Sequence, residues 1–342
     1  QEQALEVLAS RAASHTDPTS PSGVAFLLEE LRRAGQEQAL EVLASRAASH
    51  TGLTDSSGIA HLLGELRRAG QEQALEVLAS RAASHTDPTS PSGIAHLLGE
   101  LRAAGQEQAV AALLARNPAA HADLTDPSGI AHLLGELRAA GQEQAVAALL
   151  ARNPAAHADL TDPSGLIFLL EELRRMGQEQ VLEVLASRAA SYTDLTNASD
   201  VAFLLGKLRG IGQELAVAAL LARNPAAHAD LTDPSGIAHL LGELRAAGQE
   251  QAVAALLARN PAAHADLTDP SGIAFLMKIL RDTEQAQMVA ELSRRALDAG
   301  VLQELPSSLL PYGRDPDGTP ARAWSWGELG VLTTEVGNTH PI

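Results

Sequence analysis

From Asp126 to Asp162 the chain reads DPSGIAHLLGELRAAGQEQAVAALLARNPAAHADLTD. Asp126 is a good N-cap, and Pro127 suits the first helical position, where a missing N–H costs nothing. Ile130, Leu133, Leu134 and Leu137 then follow at i, i+3, i+4 and i+7, one apolar helix face. Glu136 and Arg138 fall off that stripe. Ala140-Gly141 ends the helix, with Gly141 suited to a left-handed cap. Residues 142–152 form a second amphipathic helix through Val146, Leu149 and Leu150, and Asn153-Pro154 stops or kinks it. The remainder, Ala155–Leu160, reads as a single turn or a third, very short helix. The unit is a helical hairpin, A then B, with a connector.

That unit recurs along nearly the whole chain. Residues 1–23 return unchanged as residues 71–93. The glycine of the Ala-Gly-Gln-Glu-Gln punctuation, or its equivalent, stands at Gly35, Gly70, Gly105, Gly141, Gly177, Gly212 and Gly248, with Glu284 in the same place last. The steps are 35 or 36 residues. Neither helix can bury its stripe alone, so a period of this size means stacked supersecondary units rather than one globular core. The expected fold is all-α: a right-handed α-solenoid of about eight two-helix repeats of 35–36 residues, with a C-terminal capping helix and an irregular tail. Eight A helices follow an orphan B helix at residues 1–14, and residues 284–299 form a ninth B helix, polar through Arg294 and Arg295. The array spans residues 1–304. Residues 305–342, rich in Pro and Gly, carry Tyr312, Trp324 and Trp326 and are read as a tail, docked or free.

Composition narrows the function. Of 342 residues 45% are hydrophobic but only 2% aromatic, so small aliphatic side chains must fill the core. The net charge of −17 disfavours a general affinity for polyanions. The chain has no cysteine, which rules out disulfides and thiolate metal sites and fits a cytoplasmic, reducing setting. Apolar runs such as Ala109–Ala115 are too short to span a bilayer, and no signal peptide is visible. The chain begins inside a repeat and is read as part of a longer one. Its Arg-over-Lys bias points to a GC-rich bacterial genome.

Several ladders of polar residues recur with the period. Histidines occupy the connector (His15, His50, His85, His121, His157, His228, His264, with Tyr192 once) and helix A (His61, His96, His132, His239). Phe26, Phe168, Phe203 and Phe275 share the helix A slot. A slot that accepts His or Phe is a half-buried packing position rather than a metal ligand. The run Ser14-His15-Thr16-Asp17 has the residue types of a triad, but consecutive residues do not converge on one atom, and a turn fits better. Arginine ladders run along helix A (Arg32, Arg67, Arg102, Arg138, Arg174, Arg209, Arg245, Arg281) and helix B (Arg11, Arg46, Arg81, Arg116, Arg152, Arg188, Arg223, Arg259, Arg294). They are read as pairing with the acidic ladder, as in Glu65–Arg68. No nucleophile, acid–base pair or phosphate loop recurs, so no enzyme and no cofactor or metal is expected.

The slot three residues after the His/Phe position holds Glu29, Gly64, Gly99, Gly135, Glu171, Gly206, Gly242 and Lys278. A glycine inside a helix costs about 1 kcal/mol against alanine, so close approach of another backbone is the expected reason. Gly64, Gly99, Gly135 and Gly242, the turn residues Arg33, Arg68 and Arg175, and the tail residues Trp324 and Trp326 form the candidate interaction surface.

The strings Ala104–His121, Ala140–His157 and Ala247–His264 resemble helical-repeat regions of actinobacterial proteins. So does the close of the chain, from Tyr312 to Ala321 and on through Trp324 and Trp326. The resemblance covers most of the chain and implies a bacterial α-solenoid of unassigned activity. Tetratricopeptide and pentatricopeptide repeats are similar in length, but the Gly35-to-Ala39 spacing is one residue shorter here and their aromatic signatures are missing. Residues Gly35–Glu41 also resemble the DNA-binding repeats of TAL effectors, although Glu37 stands where those repeats place a phosphate-facing lysine. The expected function is a non-enzymatic scaffold that binds a protein or peptide, of basic character, along a concave face. The alternatives are modular nucleic-acid binding of the TAL-effector kind, or a structural or sensor arm of a larger bacterial protein.

Overall fold

A computed structural model describes residues 2–299. The tail, with Tyr312, Trp324 and Trp326, lies outside the described residues. Among the described residues there are 21 helices and no strand, and the fold is an all-α repeat solenoid. The described residues divide into two compact units: residues 2–192 with Ile211–Ala216, and Thr193–Gly210 with residues 217–299.

In the first unit the A helices are α2 (Pro21–Arg33), α4 (Ser56–Arg68), α6 (Pro91–Ala103), α9 (Pro127–Ala139) and α12 (Pro163–Arg175). Each packs on the next. The B layer begins with α1 (Glu2–His15), α3 (Glu37–His50), α5 (Glu72–His85) and α7 (Glu107–Ala115), stacked in that order. It continues with α8 (Pro118–His121), α10 (Glu143–Ala151), α11 (Pro154–His157) and α13 (Glu179–Tyr192). The second unit repeats the scheme. Its A helices are α14 (Ala198–Gly210), α17 (Pro234–Ala246) and α20 (Pro270–Asp282), and its B layer includes α16 (Pro225–His228), α18 (Glu250–Ala258), α19 (Pro261–His264) and α21 (Ala286–Asp298). Between α14 and α16 runs α15 (Glu214–Ala222).

The B layer takes two forms. In α1, α3, α5 and α13 it is one continuous helix of 14 residues. In the last repeat it is the continuous 13-residue α21, and elsewhere it is a nine-residue helix, broken at an asparagine, followed by the four-residue helix that begins at proline. Asn117, Asn153, Asn224 and Asn260 sit at φ of 52 to 56°, the left-handed region that asparagine tolerates better than most residues. The short third helix is therefore real, but it starts at Pro154 rather than one residue later.

Each A helix opens on a built cap. The carboxylate of Asp126 accepts from the N–H of Gly129 at 2.8 Å, and Asp55, Asp162, Asp233 and Asp269 do the same in their repeats. Such a cap is worth about 1 kcal/mol. Ser92 of the preceding repeat donates to the other oxygen of Asp126 at 2.8 Å, so the cap also ties neighbours together. At the far end Gly141 takes φ +68°, and Gln142 N–H reaches back to the Leu137 carbonyl at 2.9 Å. The core is Leu, Ile and Ala. On α4, Ile59, Leu62, Leu63 and Leu66 are at most 1% exposed, and on α5 Leu78, Ala79, Ala82 and Ala83 are fully enclosed. Each buried leucine contributes roughly 1.5–3 kcal/mol.

The helix B arginines form no basic stripe: Arg81, Arg152 and Arg259 bond to backbone carbonyls rather than to the acidic ladder expected from the sequence. Arg81 donates to the carbonyls of Ala48 (2.6 Å) and Thr51 (3.1 Å), at the end of the previous B helix. Arg259 does the same to Ala226 and Ala229 at 2.8 Å each. The last carbonyls of a helix lack partners and carry the negative end of its dipole, so a guanidinium suits both needs. In the last repeat the residue in this role is Arg295, on Ala262 and Ala265, and not Arg294, which is exposed.

The connectors form a further ladder. The Asp123 carboxylate accepts from the N–H of Thr125 (2.9 Å) and its hydroxyl (2.8 Å), and its own N–H donates to the Thr89 carbonyl of the previous connector (2.8 Å). These bonds, the Thr N–H first and its hydroxyl second, hold Asp123, Asp159, Asp230 and Asp266 below the ordinary carboxyl value of 3.8.

Arg81→Ala should cost about 1–3 kcal/mol, because it leaves helix-end carbonyls unpaired. Arg67→Ala, which removes a part-exposed ion pair 3.4 Å long, should cost under about 1 kcal/mol. Urea unfolding of the two variants compares them directly, and equal costs would refute the role given to Arg81. The connector aspartates have folded pKa values below their unfolded ones. Their stabilisation is therefore complete above the ordinary value of 3.8 and is lost as pH falls through the lowered values. Carboxyl NMR titration should place Asp123 and Asp159 below 3.8, and Asp→Asn changes at both should flatten the acid limb of the stability curve.

Candidate functional site

The A helices present one repeated slot to solvent. His61 on α4, His96 on α6, His132 on α9 and Phe168 on α12 are all exposed, Phe168 by 52%. The reading of this slot as half-buried packing is thus corrected: only Phe275 is intermediate. The side chain leaves the helix opposite the Leu stripe, where no neighbour covers it. The rings instead meet one another. His96 and His132 lie 5.8 Å apart between centroids, and His132 and Phe168 lie 6.2 Å apart. In the second unit His239 meets Phe275 edge-on at 4.6 Å. The connector histidines are exposed as well, and His50 and His85 donate from Nδ1 to Arg46 and Arg81 carbonyls at 3.0 Å. Among the described residues no three His, Asp or Glu side chains gather as a metal-holding group.

Beside the rings runs a ladder of ion pairs that links repeats. Arg67 meets Glu100 at 3.4 Å, Arg102 meets Glu136 at 2.8 Å, and Arg138 meets Glu172 at 3.3 Å. In the second unit Arg209 meets Glu243 at 2.9 Å. The acidic partner is therefore mostly on the next A helix, not only on the same one. These carboxylates lie over some of the helical glycines, tightly only at Gly64 and Gly206. A Cβ at Gly64 would lie 3.3 Å from the Glu100 carboxylate, one at Gly99 3.4 Å from that of Glu136, and one at Gly206 3.0 Å from Glu243. A side chain, not a backbone, leans over the glycine. Gly242 has open space, and the residue in the matching acidic position one repeat later is Ile279.

Across α4, α6, α9 and the end of α12 these features line an open groove of about 630 Å³ in the first unit. His61, His96 and His132 line it, with Gly64, Gly99 and Gly135 beside them. Glu100, Glu136 and Glu172 supply carboxylates, and Arg68 and Arg175 stand at its two ends. Each end arginine is tied to a buried acid of its own helix, Arg68 to Glu65 and Arg175 to Glu172. Glu65 and Glu172 are 2% and 4% exposed, and buried carboxylates require such partners. Both take a second guanidinium from the preceding A helix, Arg32 at 3.8 Å and Arg138 at 3.3 Å.

Five residues chosen from the sequence thus converge here: Gly64, Gly99, Gly135, Arg68 and Arg175. Arg33 is instead tied to Glu29 (2.6 Å) and Glu30 (2.8 Å) at the end of α2. Gly242 lies in the other unit. Trp324 and Trp326 lie outside the described residues. The sequence reading missed Glu100, Glu136 and Glu172 as lining residues. The available signal was their position, one residue beyond the glycine slot and one repeat later. Ser14-His15-Thr16-Asp17 is the end of α1 and the start of its connector: Ser14 and Thr16 hydroxyls donate to carbonyls four residues back, and Asp17 accepts from Thr19 N–H.

The B layer presents a different face. Glu37, Glu72, Glu107, Glu143, Glu179, Glu214 and Glu250 are exposed in the first turns of their helices, where the dipole stabilises negative charge. On α1, α3 and α5, Val7, Val42 and Val77 are also exposed. No family model, no curated protein and no solved structure matches the chain.

Gly242→Ala should stabilise the protein by about 0.5–1 kcal/mol, since only helix propensity changes. Gly206→Ala should gain less, because its Cβ would press on a Glu243 carboxylate held by Arg209. Thermal unfolding of both variants settles the order, and equal gains would contradict the contact.

Proposed function

We propose that the chain is a non-enzymatic repeat scaffold that binds a protein or peptide partner in the groove across α4, α6 and α9. The observation that carries this reading is the ladder of exposed rings beside a glycine-lined floor. Rings and backbone-deep clefts are where an extended chain finds contact area with few ordered side chains. The net charge of −17 favours a basic partner over an acidic one through its long-range field. No helix among the described residues is long and apolar enough to cross a membrane. Nucleic-acid binding of the TAL-effector kind is the weaker reading. Arg33, Arg68 and Arg175 spend their charge on neighbouring acids, and a backbone tracking the B-helix starts would meet a row of glutamates. Kinship with actinobacterial helical-repeat regions, inferred from Ala104–His121 and its copies, agrees with a scaffold and adds no ligand.

A random peptide library displayed against the whole chain tests the proposal. A consensus of roughly micromolar affinity should emerge, and the double change His96→Ala with His132→Ala should abolish its capture. If no consensus emerges at any salt concentration while a random DNA duplex is retarded at low salt, the scaffold reading falls and the nucleic-acid reading replaces it.

A further inference from the structure

The groove has ends. In α4, α6 and α9 the slot beside the ring is glycine, but in the flanking helices it is filled, by Glu29 on α2 and Glu171 on α12. Glu29 is fixed in place by Arg33 at 2.6 Å. The rings of these flanking helices, Phe26 and Phe168, are larger than histidine and stand 61% and 52% exposed. Three open helices therefore lie between two closed ones. With neighbouring helix axes 8–10 Å apart, the open floor runs about 20–30 Å. An extended chain advances about 3.3 Å per residue, so the floor holds about six to nine residues.

Charge along the floor is ordered. Arg68 stands at one end and Arg175 at the other, each already bound to a buried acid. Between them lie the Glu100 and Glu136 carboxylates, 30% and 34% exposed, each meeting one arginine and keeping lone pairs to spare. Where a phenyl ring fills this slot, it accepts a cation above its face. In the second unit, Lys207 Nζ lies 5.7 Å from the centroid of Phe203, which occupies this slot on α14.

We infer that the groove is a closed-ended seat for a short extended peptide, about six to nine residues long, whose central side chains are cationic. The inference rests on the scaffold reading above. Cationic side chains at the middle of the peptide would meet Glu100 and Glu136, beside His96 and His132. The two ends would lie against the ion-paired Arg68 and Arg175, which offer no free carboxylate to a cation. The filled slots at Glu29 and Glu171 set the length.

The test uses the whole chain and fluorescent Ala/Gly peptides of four, seven and twelve residues with two central arginines. Matched peptides carry two central glutamates or two central leucines. Affinity should rise from four to seven residues and then level off, and the arginine peptides should win by about tenfold or more. Gly99→Gln places at mid-floor an uncharged copy of the side chain already present at Glu29 and Glu171. It should weaken the seven-residue arginine peptide by about tenfold, with the helical CD spectrum retained. Gly242→Gln in the other unit should leave binding unchanged. Glu100→Gln with Glu136→Gln should erase the preference for arginine, a readout independent of the glycine variant. Affinity that keeps growing to twelve residues, or survives Gly99→Gln, overturns the closed seat. Binding lost instead on Glu41→Lys with Glu76→Lys moves the site to the B layer and overturns it too. In the first of those cases the scaffold reading stands, whereas a site in the B layer removes its groove as well and leaves only a scaffold that binds elsewhere. If none of the peptides binds and the display selection also yields nothing, the scaffold reading itself fails.

Discussion

A helix that ends against a neighbour leaves its last carbonyls out of reach of water, and the stack depends on how they are satisfied. Here one arginine per repeat reaches back 33 residues to do so, from Arg81 to Ala48, Arg152 to Ala119 and Arg259 to Ala226 alike. That constant reach accounts for the two repeat lengths. In the continuous B helix the acceptor lies two residues after the arginine of its own repeat, as Ala48 follows Arg46. In the broken form it lies three residues after, as Ala119 follows Arg116, because Asn117 in the left-handed region takes up one extra residue. The helix is broken so that a longer repeat presents its carbonyl at the same place. The guanidinium suits the task because its fork serves two acceptors and keeps its charge.

The A layer solves a different problem. Its cross-repeat ion pairs are part-exposed and contribute little stability singly. Their effect is spatial. Each carboxylate turns back over the preceding helix toward its arginine, and the slot beneath is held by glycine wherever the groove is open. The cost of a helical glycine is local, about 1 kcal/mol, and is offset by packing of the Leu stripe on the opposite face. Exposed rings and an open floor thus share one cause: the face that carries them is not the face that stacks.

The sequence made the architecture legible because its signals are local and repeated. The Asp-Pro cap, the i, i+3, i+4, i+7 stripe and the glycine after each A helix all fell where the periodicity placed them. Burial of the ring slot was misread. Interchange of His and Phe shows that a position tolerates an aromatic ring, not that it is covered, and coverage depends on which way a whole helix faces. At the glycine slot the expected neighbour was the wrong one, since the group nearest Gly64, Gly99 and Gly206 is a side chain from a residue one repeat away and not a backbone. Arg294 was placed in the arginine ladder although Arg295 holds the matching offset from Glu284. Two adjacent arginines hid the register. The alternation of 35 and 36 residues was visible in the sequence, yet its meaning needed the bond between Arg152 and Ala119.

Near-identical repeats make the departures informative in a specific way. The arginine staple, the cap at the start of helix A and the Asx turn of the connector recur with little change, and each bridges neighbours. Among the positions that vary, the glycine slot is buried or half-buried at its glycines, whereas most of the ring slot and the pair Glu41-Val42 that becomes Ala111-Ala112 in the broken form are exposed. A change at such a position leaves the stack intact, because none of its stacking bonds passes through it. Function can therefore be set repeat by repeat without redrawing the fold. The run of three His–Gly helices between two Phe–Glu helices is the longest stretch in the first unit where those free positions agree. A binding surface in a stack must span several repeats, so agreement among neighbours is what a ligand would read, and that is why the groove lies at α4, α6 and α9 rather than at any single helix.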